Sequence, residues 1–446
     1  YRLNDRWHRR ASMLADDGRN VGYPALPMDV GYASARIGSV GLVMENNLKR
    51  WNFFEARLYA NKVKHFMDDS HRPNIPMHMD MPGSSFTTGM YAEGRRRIAA
   101  NRQLSLRMDV SSTDLWASMT MYQSGQTPMF MLTWPNNRQV QSGFAAQYNW
   151  NLDSITRIQF NARADNSLFR LTSSMGRDQL KVFGYEQHQR NFFIPSLSVL
   201  LSRKLYKKLN GSLSIVSNGR APSASELYGF YLFNQFDGYD YVGNPNLKAE
   251  RSLMGEASVT WQSSRLKIRL TGFYSRISHY ILGEQDPDFS IMTIGAKGVK
   301  VYRNISYANL AGTEASLSYE PLIKTRLIAT VKYTRGTDNQ GNPLPLIAPL
   351  RAVGSARQVL GNFSLQGEWE VAADQNRINS AAGEKTTRAF SLLHARGSYQ
   401  TTWLGKTWRV DAGVENILDI KYREHLDWGN IPRPGRNIYA RLAFGF

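Results

Sequence analysis

Apolar and polar residues alternate along most of this chain. From 265 to 271, Leu266, Ile268 and Leu270 alternate with Arg265, Lys267, Arg269 and Thr271. From 327 to 334, Leu327, Ala329, Val331 and Tyr333 alternate with Ile328, Thr330, Lys332 and Thr334. The same pattern runs through 314–320 (Ala315, Leu317, Tyr319) and 363–370 (Phe363, Leu365, Gly367, Trp369). A period of two sends alternate side chains to opposite faces of a strand. Comparable stretches lie near 52–67, 95–109, 115–122, 143–150, 155–164, 195–203, 209–216, 387–399 and 407–414. Helical periodicity is almost absent, and no apolar run approaches the ~18–20 residues of a membrane-spanning helix.

Turn-forming clusters punctuate the strands: Asp16-Asp17-Gly18, Pro135-Asn136-Asn137 and Asp338-Asn339-Gln340-Gly341-Asn342-Pro343. Connections alternate between tight ones, such as 262–264, and long ones, such as 218–250. A transmembrane barrel has this asymmetry of short turns and long loops. A soluble sandwich shares the alternation, but here the polar face is heavily charged and the other face persistently apolar. No blade-length repeat points to a propeller. The expected fold is all-β, a transmembrane antiparallel β-barrel. A strand of ~9–11 residues with its share of loop takes about 25 residues, so roughly 18 strands fit.

Composition narrows the function. The chain has no Cys, which excludes disulfides, thiolate metal sites and Cys nucleophiles within it. Its net charge of +19 comes from Lys and Arg spread along alternating strands rather than clustered, so no nucleic-acid partner is expected. There is no nucleophile elbow, P-loop or HExxH motif, and Asp114, Asp153 and Asp165 show no catalytic spacing, so no enzyme is expected. The start, Tyr1-Arg2-Leu3-Asn4-Asp5-Arg6, leads into no apolar signal core and carries no initiator Met, which suggests a processed or truncated piece.

The last residues, Ile438-Tyr439-Ala440-Arg441-Leu442-Ala443-Phe444-Gly445-Phe446, put Ile438, Ala440, Leu442, Phe444 and Phe446 on one face. This resembles the terminal strand of outer-membrane barrels, whose final Phe is read by the barrel assembly machinery. Further matches are more specific: Arg220-Ala221-Pro222, Glu226-Leu227-Tyr228, and the run Gly243-Asn244-Pro245-Asn246-Leu247-Lys248-Ala249-Glu250-Arg251-Ser252. Val414-Glu415-Asn416-Ile417-Leu418-Asp419 with Lys421-Tyr422-Arg423, and Pro434-Gly435-Arg436-Asn437, follow. Together they resemble the TonB-dependent receptors. The resemblance implies a 22-stranded barrel in the Gram-negative outer membrane, closed by an N-terminal plug and driven by a TonB-type energy-coupling protein. No segment resembles the plug, so residues 1–446 read as the barrel domain without its plug and first strands. Asn244, Pro245, Leu247, Lys248, Glu250, Asn416 and Phe446 read as structural family marks. Asn244-Pro245-Asn246 is a turn that restarts a strand at Leu247.

Methionine is unevenly placed: ten of the 16 lie between Met67 and Met131. On the strand over 52–67, His65 and Met67 fall on the face opposite Leu58, ~6.5–7 Å apart along the chain. Thioether sulfur is soft and selects Cu(I), and imidazole suits copper too. Met77, His78, Met79 and Met81 follow in a Pro- and Gly-flanked segment expected to be a loop, where no core needs filling. Val63-Lys64-His65-Phe66-Met67-Asp68-Asp69, and more weakly Tyr23-Pro24-Ala25-Leu26-Pro27-Met28-Asp29, resemble the copper-receptor branch of the family. That resemblance gives His65 and Met67 the role of copper ligands on the barrel wall and leaves a Cys and a Met to the plug.

The expected function is therefore active uptake of a metal or metal complex, copper first, with no intrinsic cofactor. A ferric-siderophore or haem receptor is the alternative, for which Tyr228, Tyr231, Tyr239 and Tyr241, among neighbouring aromatics, offer an aromatic binding surface. A passive porin is a further one. Arg95-Arg96-Arg97 is expected above the membrane, beside anionic lipopolysaccharide, with Glu93 and Asp109 as partners.

Overall fold

The computed structural model describes residues 7–23, 26–45, 51–73, 75, 77–123 and 125–445. Among the described residues twenty strands form one sheet. In chain order they are β1 (Trp7–Val21), β2 (Asp29–Glu45), β3 (Trp51–Asp68), β4 (His78–Ala99), β5 (Arg102–Tyr122), β6 (Met129–Asn151), β7 (Thr156–Leu171), β8 (Gln189–Tyr206), β9 (Leu209–Arg220), β10 (Leu232–Asn234), β11 (Tyr239–Val242), β12 (Glu250–Gln262), β13 (Leu266–Asp286), β14 (Val299–Tyr319), β15 (Thr325–Asp338), β16 (Arg351–Leu360), β17 (Phe363–Ala372), β18 (Phe390–Trp403), β19 (Lys406–Glu415) and β20 (Asn437–Gly445). Two short helices, α1 (Ser174–Lys181) and α2 (Ala224–Tyr228), lie in connections. Setting aside the three- and four-residue strands β10 and β11, eighteen long strands remain, the number the chain length suggested. Among the described residues no helix is long and apolar enough to cross a membrane.

The chain divides into two compact units, and the division runs through β8, β9, β12, β13 and β14. In the first unit, β1 to β7 pair with their sequence neighbours, all antiparallel. Register aligns Leu58 with Met90 and Met108 with Phe144, and all four are exposed. Each would forfeit ~1.5–3 kcal/mol in water relative to burial, so this face suits an apolar medium. The other face carries charge in pairs: Arg57–Glu55 (3.0 Å), Arg95–Glu93 (2.9 Å), Arg163–Asp109 (3.0 Å) and Arg163–Asp165 (2.6 Å). In the second unit β14 to β20 continue as an antiparallel meander. The expected alternation holds there too. Phe363, Leu365 and Trp369 are exposed together, while Glu368, on the other face, pairs with Arg396 (3.2 Å).

Buried cores lie where loops fold back on the sheet. In the first unit the 221–249 connection supplies Leu227, Tyr228 and Leu247 to one cluster, and Phe230, Tyr231 and Val242 to another. Its local structure follows from its sequence. Ser223 caps α2 in a capping box with Glu226, and Arg220 bridges Glu226 and Glu250 at 2.7 Å each. Gly243 passes so close to 227–229 that a Cβ there would lie 2.6 Å from backbone nitrogen. The segment then pairs with β14 in parallel, Tyr241 opposite Lys300.

Three local expectations are corrected. Asp16-Asp17-Gly18 lies inside β1, paired with 33–35 of β2, because Arg36 binds the Asp17 carboxylate (2.7 Å) and satisfies it within the ladder. Pro135-Asn136-Asn137 lies inside β6, where the register to β5 shifts rather than turning. The stretch 95–109 is two strands meeting at Ala100-Asn101, a turn without Gly or Pro to announce it. Arg95–Arg97 consequently sits at the short-turn end of β4, away from the long loops, so lipopolysaccharide contact does not follow from its position. Arg95 does pair with Glu93, while Asp109 pairs with Arg163 and Arg107 (3.8 Å).

Candidate metal-binding face

Strand pairing gathers sulfur across four strands. Met67 of β3 stands directly opposite Met81 of β4. Met79, two residues from Met81 and so on the same face, stands opposite Met121 of β5. Met121 in turn faces Met129 of β6, and Met119 faces Met131. His65 shares this face two residues before Met67. Its ring lies over Gly83, where a Cβ would come within 2.4 Å of Cε1 and 2.9 Å of Nε2. The arrangement offers one imidazole and a row of thioethers, donors suited to a soft cation. Among the described residues no group of three His, Cys, Asp or Glu is placed to hold a metal ion.

The face is covered, which corrects the expected loop: residues 78–81 open strand β4, and a buried cluster lies against their methionines. Met119, Met121 and Met131 are buried with Phe230 and Tyr231 of the 221–249 loop, and Met77, Met79 and Met81 pack against the same cluster. Sulfur–aromatic contacts of this kind are favourable in themselves, ~0.3–1.5 kcal/mol each. His78 takes the opposite face. Its Nδ1 lies 3.0 Å from the buried Asp69 carboxylate, which also accepts from the Met79 amide. Of the six residues singled out for metal, the structure thus aligns His65, Met67, Met79 and Met81, sets Met77 beside the cluster, and separates His78. Gly83 and the β5–β6 methionines escaped sequence reasoning. Their alternation phase was readable, but which strand residue faces which was not.

The four tyrosines are engaged by the protein itself. Tyr228 is in the core, where burial pushes its phenol up, and its hydroxyl has no partner among the described residues. Tyr231 donates to the Ser290 carbonyl (3.1 Å). Tyr241 donates to Asp237 (2.7 Å), which also holds the buried Lys300 ammonium (2.7 Å), itself 4.4 Å from the Tyr239 ring. The family-mark residues knit this loop to the sheet. Asn244 Nδ2 donates to the Tyr302 carbonyl (3.0 Å), the Pro245 carbonyl accepts from Arg190, and Leu247 is buried. The Lys248 amide donates to Asn304 (2.8 Å), and Glu250 accepts from Arg220 and from the Ile281 amide (2.8 Å). In the second unit Asn416 holds a positive φ of 50° and exchanges two hydrogen bonds with Ile420 (2.9 Å each). Phe446, and Pro24 and Ala25 of the weaker resemblance, lie outside the described residues.

The second unit also contains a hydroxyl–imidazole–carboxylate line that no spacing announced. Thr387 Oγ1 lies 3.1 Å from His425 Nδ1, and His425 Nε2 lies 3.3 Å from Glu384 Oε1. The Glu384 carboxylate also accepts from the Leu346 and Asn379 amides (2.5 and 2.6 Å). Both the His425 and Glu384 side chains are at most 2% exposed. The group ties three connections together and presents no open nucleophile.

The family described as TonB dependent receptor-like, beta-barrel, matches residues 4–417. No curated protein matches the chain. Among solved structures, the copper transporter OprC superposes with a TM-score of 0.84 at 19% identity, over 98% of this chain and 69% of its own. The FrpB iron transporter from Neisseria meningitidis (F3-3 variant) gives 0.69 at 14%, over 99% and 70%. The ferric citrate transporter FecA, unliganded, gives 0.71 at 12%, over 99% and 68%. At these identities the likeness speaks to the fold.

Proposed function

Because the chain belongs to the TonB-dependent receptor family, a family of outer-membrane transporters rather than enzymes, we propose that its cargo is copper, captured by His65 and Met67 and imported with TonB-type energy coupling. One observation carries the reading: His65, Met67 and the cross-strand Met81 share a face that continues as methionines through β6. A soft cation exchanges between neighbouring thioethers without meeting a hard anion. On this reading residues 1–446 are the barrel domain, and a plug elsewhere in the protein completes the ligand set. Insertion by the barrel assembly machinery and contact with lipopolysaccharide belong to the same proposal.

The test is copper content of the full-length receptor after exposure to Cu(I) or Cu(II), beside His65→Ala and Met67→Ala. Loss of bound copper in each variant is expected, and unchanged content in both removes the ligand assignment. Growth under copper limitation against iron limitation separates copper from a ferric-siderophore or haem cargo. The engagement of the four tyrosines in the loop's own packing lends that second cargo no support.

A further inference from the structure

The short turns of the second unit form one continuous edge. Backbone hydrogen bonds link them in series: Gln262 N–H to Lys208 O (2.8 Å), Glu320 to Arg265 (2.8 Å), Val359 to Lys324 (3.0 Å) and Gln400 to Asn362 (3.0 Å). The turns at 207–208, 263–265, 320–324, 361–362 and 404–405 therefore follow one another along one border of the sheet.

Charge on this border is one-sided. Across 203–208, 263–267, 320–326, 357–364 and 404–411, eleven Lys and Arg stand against Glu320 and Asp411. Asp411 is taken by Arg409 at 2.8 Å. Lys204, Lys207, Lys208, Arg265, Lys267 and Lys324 are exposed, with no carboxylate partner among the described residues. The loops at the other end of the same unit differ: there Arg351 meets Glu370 and Glu424, and Arg433 meets Asp427.

Large apolar side chains stand between the cations. Tyr206 is 67% exposed, Leu322 70%, Ile323 86%, Trp403 62% and Leu404 79%. A water-facing border would gain nothing from them. Aromatic and aliphatic groups interleaved with long cationic side chains match the boundary between acyl chains and headgroups. There the stems of Lys and Arg lie in the apolar zone and their charges reach the phosphate level. In outer-membrane barrels the short turns are periplasmic, so this border meets the inner, phospholipid leaflet.

We propose that the short-turn border of β8 to β19 is a binding surface for anionic phospholipid headgroups, phosphatidylglycerol in particular. The sign of the charge selects anionic over zwitterionic lipid, each Lys or Arg near the headgroups adding to the preference. The proposal is independent of the cargo.

The experiment uses the full-length protein in bilayer nanodiscs with equal phosphatidylglycerol and phosphatidylethanolamine, and reads retained lipid by native mass spectrometry. Phosphatidylglycerol enrichment of about fivefold is expected for the wild type, the preference that one Lys or Arg near the headgroups supplies. It should fall towards parity in Lys204→Gln/Lys207→Gln/Lys208→Gln, and in the wild type at 1 M salt, where the screening length is ~3 Å. Arg377→Gln/Lys385→Gln/Arg388→Gln, in a long loop, should keep it. Equal retention by the wild type overturns the proposal. So does enrichment that survives both the border variant and high salt, or that falls equally in the loop variant, since that would reflect net charge alone.

Discussion

At position 83 a methyl group would stand 2.4 Å from His65 Cε1 and 3.1 Å from Nδ1, well inside contact distance. Nothing about the backbone demands glycine there, since its φ is not in the left-handed region. The residue's value is the flat space it leaves for an imidazole. Gly83→Ala should therefore keep the strand and displace the ring, weakening copper binding roughly ten- to a hundredfold, as losses of groups that orient a ligand do. Gly38→Ala, whose Cβ would meet nothing within 4 Å, serves as the control and should bind as the parent does. Copper titration of the three proteins decides it: equal affinities would mean that the ring's position is immaterial.

Among the elements, the loops of the second unit hang on one buried carboxylate. Burial alone would raise the Glu384 pKa. The His425 imidazole 3.3 Å away and hydrogen bonds from the Asn379 and Leu346 amides reverse the sign and hold it below the usual range. A carboxyl lowered in the folded state contributes stability that is complete above its unfolded pKa and is lost as pH falls through the folded value. The 339–350, 373–389 and 416–436 connections should therefore stay closed at neutral pH and loosen together as pH falls through the lowered Glu384 value, below the usual carboxylate range. In Glu384→Leu they should be loose at every pH, through loss of a pairing worth ~3–5 kcal/mol when broken from one side. Hydrogen exchange at the Leu346 and Asn379 amides reads both effects, and protection that persists in the variant would refute the tie. This contact was invisible in the sequence. Glu384 and His425 are 41 positions apart and surrounded by ordinary loop residues. The strands were legible because Leu266, Ile268 and Leu270 repeat a period that only one backbone shape satisfies. Turns were legible only where nothing compensates them: 339–342 is a turn after β15, whereas Asp17 was drawn into β1 by Arg36 across the ladder.

For the whole molecule, the proposed copper reading separates capture from transport. A set of donors fixed on neighbouring strands can bind a cation without energy input, whereas import requires coupling through TonB. Dissipating the proton-motive force in cells should leave labelled copper bound at the surface and stop its entry. His65→Ala/Met67→Ala should lose both. Entry that continues at the same rate in de-energised cells would return the protein to a passive porin-like role. The same level shows what alternation could and could not tell. His65 and Met67 on one face follow from a spacing of two. Their meeting with Met81, Met79 and Met121 depends on register, which is set by three-dimensional pairing and by the irregularities at Trp51/Phe53 and Leu115/Ala117.

The covering of the methionine row by Phe230 and Tyr231 also bears on chemistry other than metal capture. Thioethers outside the cytoplasm are oxidised to sulfoxides, polar groups that can no longer serve as soft donors. Met121 and Met131 are 1% and 3% exposed, and Met129, at the border of the cover, is 42% exposed. The aromatic cover should therefore slow oxidation of the inner thioethers relative to Met129, the more exposed of the three.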